Sequence, residues 1–243
     1  MTDERRAELA AALAELQERI AAACAAAGRR PDEVRLLPIT KTFPATDVAL
    51  LAELGMTEFG ENRDQEARAK SEELRGLVQG PPPRLHMIGN VQRNKARSVL
   101  RWASVVQTVD SPRLADALAK AVAAARDAGE RDGPLEVLLQ ASIDGDPARG
   151  GSPLPELADL ADRVARSEQL SLRGVMTVAP RDWEPARAFA ALAETAGKLL
   201  LDHPNAVEIS AGMSQDLEAA IAHGSTLVRV GTSLLGGRRL ASL

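Results

Sequence analysis

Short apolar runs alternate with longer amphipathic stretches along most of this chain. The runs are rich in Val, Ile and Leu and fall at residues 34–40, 57–60, 84–89, 104–109, 135–142, 171–178, 206–210 and 226–231. Their length and β-branched content predict strands. Between them Ala, Leu and Glu recur at helical spacing near 45–54, 63–78, 91–101, 112–128, 154–167, 184–201 and 215–223. Ahead of the first strand, residues 3–27 put Leu9, Leu13, Leu16 and Ile20 on one helical face, with Gly28 as a stop and Pro31 beyond it. Ser111 before Pro112 and Ser152 before Pro153 have the form of helix caps followed by a first-turn proline.

Eight strand and helix pairs predict an α/β fold, a closed (β/α)8 TIM barrel with an extra N-terminal helix over residues 1–30 packed against it. Parallel strands need both faces covered, and 243 residues suffice for closure as a single domain spanning 1–243. An open doubly wound sheet is the competing arrangement. It calls for a Gly-rich dinucleotide turn after the first strand, and "ITKTFPA" has no glycine there.

Composition narrows the class. Lys plus Arg number 30 and Asp plus Glu 34, with both signs interspersed, so no basic field is on offer for nucleic acid. The single cysteine, Cys24, excludes an internal disulfide and a cysteine metal cluster and reads as a small buried residue. The N-terminal stretch has neither an apolar leader nor a membrane-length run, which predicts a cytoplasmic protein without a membrane partner. Aromatic residues make up 2% and tyrosine is absent, which removes tyrosine as a catalytic base.

In a barrel of this kind ligands bind over the C-terminal ends of the strands. Residues there include Lys41, Asn62, His86, Ser142, Met176, Ser210 to Ser214, Gly231 and Thr232. Alternation in "STLVRVG" puts Arg229 on the inner face, where an arginine needs polar partners. A structural ion pair with Glu208 is one answer and a ligand is another. The same parity puts Lys41 at the inner rim, where desolvation would make its amine a nucleophile toward aldehydes, unless it only reaches water. The junctions "ISAGMSQDLEAA" and "VRVGTSLLGG" are the seventh and eighth, the usual place for a phosphate in barrels. Ser214 and Thr232 would supply hydroxyls and Gly231 close approach, although a serine there also serves as a simple cap. Asp216 and Glu218 are expected to point outward, away from an anion. A ligand with an aldehyde, a phosphate and an acceptor for Arg229 fits these features, and pyridoxal 5'-phosphate (PLP) has all three.

The segments "PITKTFPATDV", "FGENRDQEA", "LHMIGNVQRNKARSV", "GVMTVAP" and "EISAGMSQDLEAAIAHGSTLVRVGTSLLG" together resemble the YggS/PROSC family of pyridoxal phosphate homeostasis proteins, from about residue 34 to 237. The resemblance implies a barrel similar to the N-terminal domain of alanine racemase without the second domain of the racemases. It also implies Lys41 as the Schiff-base lysine, Arg229 facing the pyridine nitrogen, Ser214, Gly231 and Thr232 as the phosphate cradle, and Asn62 and His86 near the cofactor; Met176 and Ser210 complete the candidate set. The chain departs from the family's "GENY" and "WHF" at Arg63, Leu85 and Met87.

An arginine at the ring nitrogen can only donate, which weakens the electron sink that PLP catalysis uses. A racemase needs a base on each face of its substrate, and this chain has no tyrosine to serve as the second. The expected function is therefore PLP binding and homeostasis without strong catalysis, as a monomer that hands PLP transiently to PLP-dependent apoenzymes. A weak amino-acid racemase and a phosphosugar isomerase are the alternatives.

Overall fold

The first apolar stripe forms α1 (Thr2–Ala26), whose residues Leu9, Leu13, Leu16, Ile20 and Cys24 are buried. The computed structural model describes residues 2–146 and 149–237. After α1 come β1 (Arg35–Pro38), α2 (Ala45–Glu53), β2 (Glu58–Glu61), α3 (Asp64–Leu77), β3 (Arg84–Met87), α4 (Ala96–Val99), β4 (Ala103–Val109) and α5 (Pro112–Asp127). The chain continues with β5 (Leu135–Ser142), β6 (Ser152–Pro153), α6 (Leu157–Ala165), β7 (Leu170–Met176), α7 (Pro185–Asp202), β8 (Glu208–Ser210), α8 (Leu217–Ala222), β9 (Leu227–Val230) and α9 (Thr232–Leu235). Every apolar run expected as a strand is one, and α1 packs on α2, α8 and α9.

All ladders are parallel, in the order β1-β9-β8-β7-β5-β4-β3-β2, and a single bridge between Ile39 and Gly60 brings the two ends together. The result is an eight-stranded, nearly closed barrel wrapped by helices. At this seam Gly60 leaves room for Ile39, whose Cδ1 would lie 2.5 Å from a Cβ there. No helix among the described residues is long and apolar enough to cross a membrane.

Ser111 caps α5 as expected, accepting from the Leu114 N–H at 3.4 Å. Ser152 does not cap α6. Its backbone pairs with Ala141 as β6, and the helix begins only at Leu157 after a 3₁₀ turn, with Glu156 at its cap. The loop doubles back onto β5 because Gly151, at φ +99°, sits so close that a Cβ would lie 2.8 Å from the Ser142 nitrogen.

Strand alternation stacks the interior in layers. At the N-terminal end Arg35, Glu58, Arg84, Glu136, Arg173 and Glu208 form a ring of ion pairs: Arg35 with Glu58 and, at 3.0 Å, Glu208; Arg84 with Glu58 at 3.5 Å and with Glu136. Above it lie Leu37, His86, Val105, Leu138 and Leu227, all buried, and above those Ile39, Gln107, Met176, Ser210 and Arg229. The larger apolar core fills the space between strands and helices around Phe59 and Phe189.

Burial alone would raise the Glu58 carboxyl, but His86, Arg35 and Arg84 outweigh it and hold the group down to about 2 from an ordinary 4.5. A depressed carboxyl stabilises the fold fully above the unfolded value and loses that contribution as pH falls through the folded one. Glu58→Gln is therefore expected to lower the urea midpoint clearly at pH 7, on the order of 3 kcal/mol, less at pH 3, and hardly at all below pH 2. Equal losses at pH 7 and pH 3 would contradict the assignment.

Candidate functional site

Lys41 follows a residue with no polar group left over. The Thr40 N–H donates to the Gly60 carbonyl (3.0 Å), its hydroxyl to Glu61 (2.6 Å), and its carbonyl accepts from the Lys70 ammonium (2.7 Å). Lys70 also pairs with Glu61 at 2.5 Å, and all three residues are buried. The cluster fixes the end of β1, since removing one partner of a buried ion pair costs about 3–5 kcal/mol. The chain then turns at Lys41 and Thr42, and Thr42 takes φ +67°, the one positive value outside glycine among the described residues. A β-branched residue adopts this only when its surroundings hold it there.

Lys41 is exposed at the rim. The expectation of a desolvated amine is not met. The ammonium has no hydrogen-bond or ion-pair partner among the described residues, so it is free to reach across the mouth.

Arg229 lies below the rim, 4% exposed. Its Nη1 donates to the Ser210 carbonyl and hydroxyl, both at 2.7 Å, and its Nη2 to the Thr177 carbonyl at 2.6 Å. Glu208 is not its partner: that carboxylate sits a layer lower, with Arg35 and Arg173. Side chains two apart on a strand share a face but differ by a full layer in height, and the parity argument did not resolve this. Desolvation pulls the guanidinium down to about 10, a loss that the charge of Asp216 only partly opposes. It stays protonated at neutral pH. A guanidinium carries five N–H donors. The three bonds above leave the Nε–H and one Nη2 proton without a protein acceptor among the described residues.

The loops after β8 and β9 open α8 and α9, whose first N–H groups have no intrahelical acceptors. The β8 loop is rigidly built. Arg19 of α1 donates to the Ser214 carbonyl (2.8 Å) and clamps Glu218 outward, as expected. Asp216 does not point outward; its carboxylate turns back to accept from the Met213 N–H at 2.6 Å.

Two glycines in these loops exist for different reasons. Gly212 has φ +89°, and a Cβ there would lie 2.6 Å from that of Ala220, so the fold demands glycine. Gly231 has φ −111° and ψ −77°, and a Cβ would meet nothing nearer than 3.4 Å. The fold tolerates a side chain at Gly231, and a closely held anion would not.

The Ile39 N–H donates to the Val230 carbonyl, which seats Lys41 on the strand end next to Gly231 and Thr232. Ser210 and Ser214 follow on the adjoining β8. Asn62 stands across the seam, its carbonyl so close to Gly89 that a Cβ there would lie 2.0 Å away. His86 and Met176 are not at the rim. His86 is buried inside the barrel beside Gln107, and Met176 packs below the mouth with Val105 and Leu138. Beside Met213 the mouth widens into a cavity of about 790 Å³ lined by Gln140, Ser142, Asp144, Arg149 and Val178.

The sequence reading missed Gln107, Thr177 and Lys70. Gln107 shares strand parity with the inward Val105, and Lys70 falls on the apolar stripe of Ala67 and Leu74, so both carried a signal. The carbonyl of Thr177 carried none.

Residues 12–239 match the family described as alanine racemase, N-terminal domain. A pyridoxal phosphate homeostasis protein of Mycobacterium tuberculosis is 48% identical over 98% of this chain and 96% of its own length. Among solved structures, a protein of unknown function from Bifidobacterium adolescentis aligns with TM-score 0.86 at 31% identity, covering 96% of both chains. PipY of Synechococcus elongatus, solved with PLP bound, aligns with TM-score 0.78 at 30% identity over 94% of this chain and all of its own.

The two glycines make a measurable pair. Gly212→Ala is expected to cost about 2 kcal/mol or more, through a strained backbone and an overpacked contact, in chemical denaturation of the ligand-free protein. Gly231→Ala should change it by no more than about 0.5 kcal/mol. A large loss at Gly231 would show that the fold, not a ligand, selects that glycine.

Proposed function

We propose that this chain, which belongs to the alanine racemase N-terminal domain family, is a cytoplasmic pyridoxal phosphate homeostasis protein that takes PLP up reversibly on Lys41, buffers it and delivers it to apoenzymes. The observation that carries this reading is the state of Arg229: a buried, charged guanidinium with only neutral partners and two N–H groups to spare. Bound at this mouth, PLP supplies an aldehyde that a primary amine takes up and gives back.

Each part of the chain has a task in this reading. Lys41 offers the amine from a turn whose base is immobile. Ser214, Thr232 and the first N–H groups of α8 and α9 would hold the phosphate, with Gly231 leaving room for its oxygens. Arg229 would donate to the ring nitrogen. A guanidinium that remains protonated to about pH 10 has no proton to give away and no lone pair to accept one, so it favours the unprotonated ring.

That choice disfavours transamination and decarboxylation. Stabilising negative charge on a substrate carbon calls for a protonated ring, usually maintained by a carboxylate. Here no carboxylate hydrogen-bonds Arg229 among the described residues; the charge of Asp216 reaches it only through space. Racemisation further needs a second base, and the chain has no tyrosine to play it.

Two experiments test the reading. Borohydride reduction of the PLP-loaded protein followed by peptide mapping is expected to place the pyridoxyl group on Lys41, and Lys41→Ala should lose the visible absorbance; a label on another lysine would overturn the site. Incubation of the loaded protein with single L-amino acids is expected to yield no D-enantiomer above a protein-free PLP control. Turnover that vanishes in Lys41→Ala would establish a racemase instead.

A further inference from the structure

A continuous line of buried polar side chains crosses the barrel from Arg229 to the ion-pair ring at its opposite end. The Ser210 hydroxyl, which accepts from the Arg229 Nη1, donates to the Gln107 Oε1 at 2.7 Å. The Gln107 Nε2 in turn meets the Nδ1 of His86 at 2.9 Å. The other imidazole nitrogen of His86 faces Glu58 Oε1 at 3.6 Å, an ion-pair separation too long for a direct hydrogen bond. Gln107 and Ser210 are 0% exposed and His86 is 1%, so bulk solvent does not reach the line.

The direction of every bond follows from the chemistry of its ends. A guanidinium can only donate, so the Ser210 oxygen must receive from Arg229 and pass its own proton elsewhere. The Gln107 carbonyl is the acceptor that takes it. The Gln107 amide is then left with its NH2 toward His86, which requires an unprotonated Nδ1 and puts the imidazole proton on Nε2, toward Glu58. The arginine thus sets the sense of the line, which runs from it through Ser210 and Gln107 to His86.

From this geometry we propose that Gln107 is a positioning residue for the cofactor-binding arginine: acting through Ser210, it fixes the guanidinium of Arg229 while keeping every group in contact with it neutral. The proposal rests on PLP binding at Arg229 and goes beyond it, since Gln107 itself touches no ligand. A carboxylate at Ser210 or Gln107 would hold the arginine equally well, but it would spend the cation's charge inside the protein. Serine and glutamine instead separate the cation from the His86–Glu58 pair by two neutral links, leaving its spare N–H donors for a ring nitrogen.

A double-mutant cycle on the PLP-loaded protein tests this. Gln107→Leu, which keeps the bulk and removes both bonds, is expected to weaken PLP affinity about tenfold, and Ser210→Ala by a similar factor. If Gln107 acts through Ser210, the double variant should bind no more weakly than Ser210→Ala alone. Gln107→Glu retains an acceptor for the Ser210 hydroxyl but brings a carboxylate into the line, and should bind PLP more weakly than wild type without losing stability; affinity equal to wild type would contradict the need for a neutral link. Thermal melts of the PLP-free proteins separate stability from positioning, and a stability effect alone would leave the affinities equal. Multiplying losses in the double variant, or affinity unchanged in Gln107→Leu, would overturn the role of Gln107 while leaving the functional reading intact. Failure of the wild type itself to bind PLP would instead overturn that reading.

Discussion

A charged guanidinium buried without a carboxylate is the constraint around which this barrel is organised. Burying an unpaired cation costs several kcal/mol, and it is tolerated only where dipoles replace the lost water. Arg229 obtains those dipoles from the carbonyl ends of β7 and β8 and from Ser210. Those carbonyls face the guanidinium because the strands end there: Thr177 is tied to Ala141 of β5 by its hydroxyl (2.8 Å), and Ser225 reaches across to the Ala211 carbonyl (2.8 Å). A cation that could be satisfied with one acid is held by the geometry of three strands, which couples the site to the barrel itself.

The lysine is held on the opposite principle. Its backbone is locked by Thr40, Glu61 and Lys70, while its side chain is left in solvent. For a group that must take up an aldehyde and surrender it, this division makes sense. Burial would have raised its reactivity and also slowed the arrival of any competing amine. The positive φ of Thr42 and the Phe43 N–H bonded to the Thr40 carbonyl hold the turn that carries Lys41 without enclosing its side chain.

Much of the architecture was legible in the chain. Parallel strands buried on both faces are written as apolar runs, and every one of them could be read together with the helices between. The short α9 and the β6 bridge were not, because a single helical turn and a two-residue strand have no period of their own. At the site, Lys41, Arg229 and the two phosphate-type junctions stood out because charge or glycine at a strand end is costly and conspicuous. Gln107 and Thr177 did not. Their roles depend on what the neighbouring strand presents at the same height, and parity along one strand gives the face but not the layer. The same gap explains the misplaced Glu208 pairing and the readings of His86 and Met176 as rim residues.

The central claim is that Arg229 holds the bound ring as an acceptor, unprotonated and therefore a poor electron sink. The most direct measurement is the nitrogen-15 chemical shift of ring-labelled PLP bound to the protein, followed across neutral pH. A shift in the range of a neutral, hydrogen-bonded pyridine that does not move between pH 6 and 9 is the expected result. A pyridinium shift, or a titration through that range, would contradict the account.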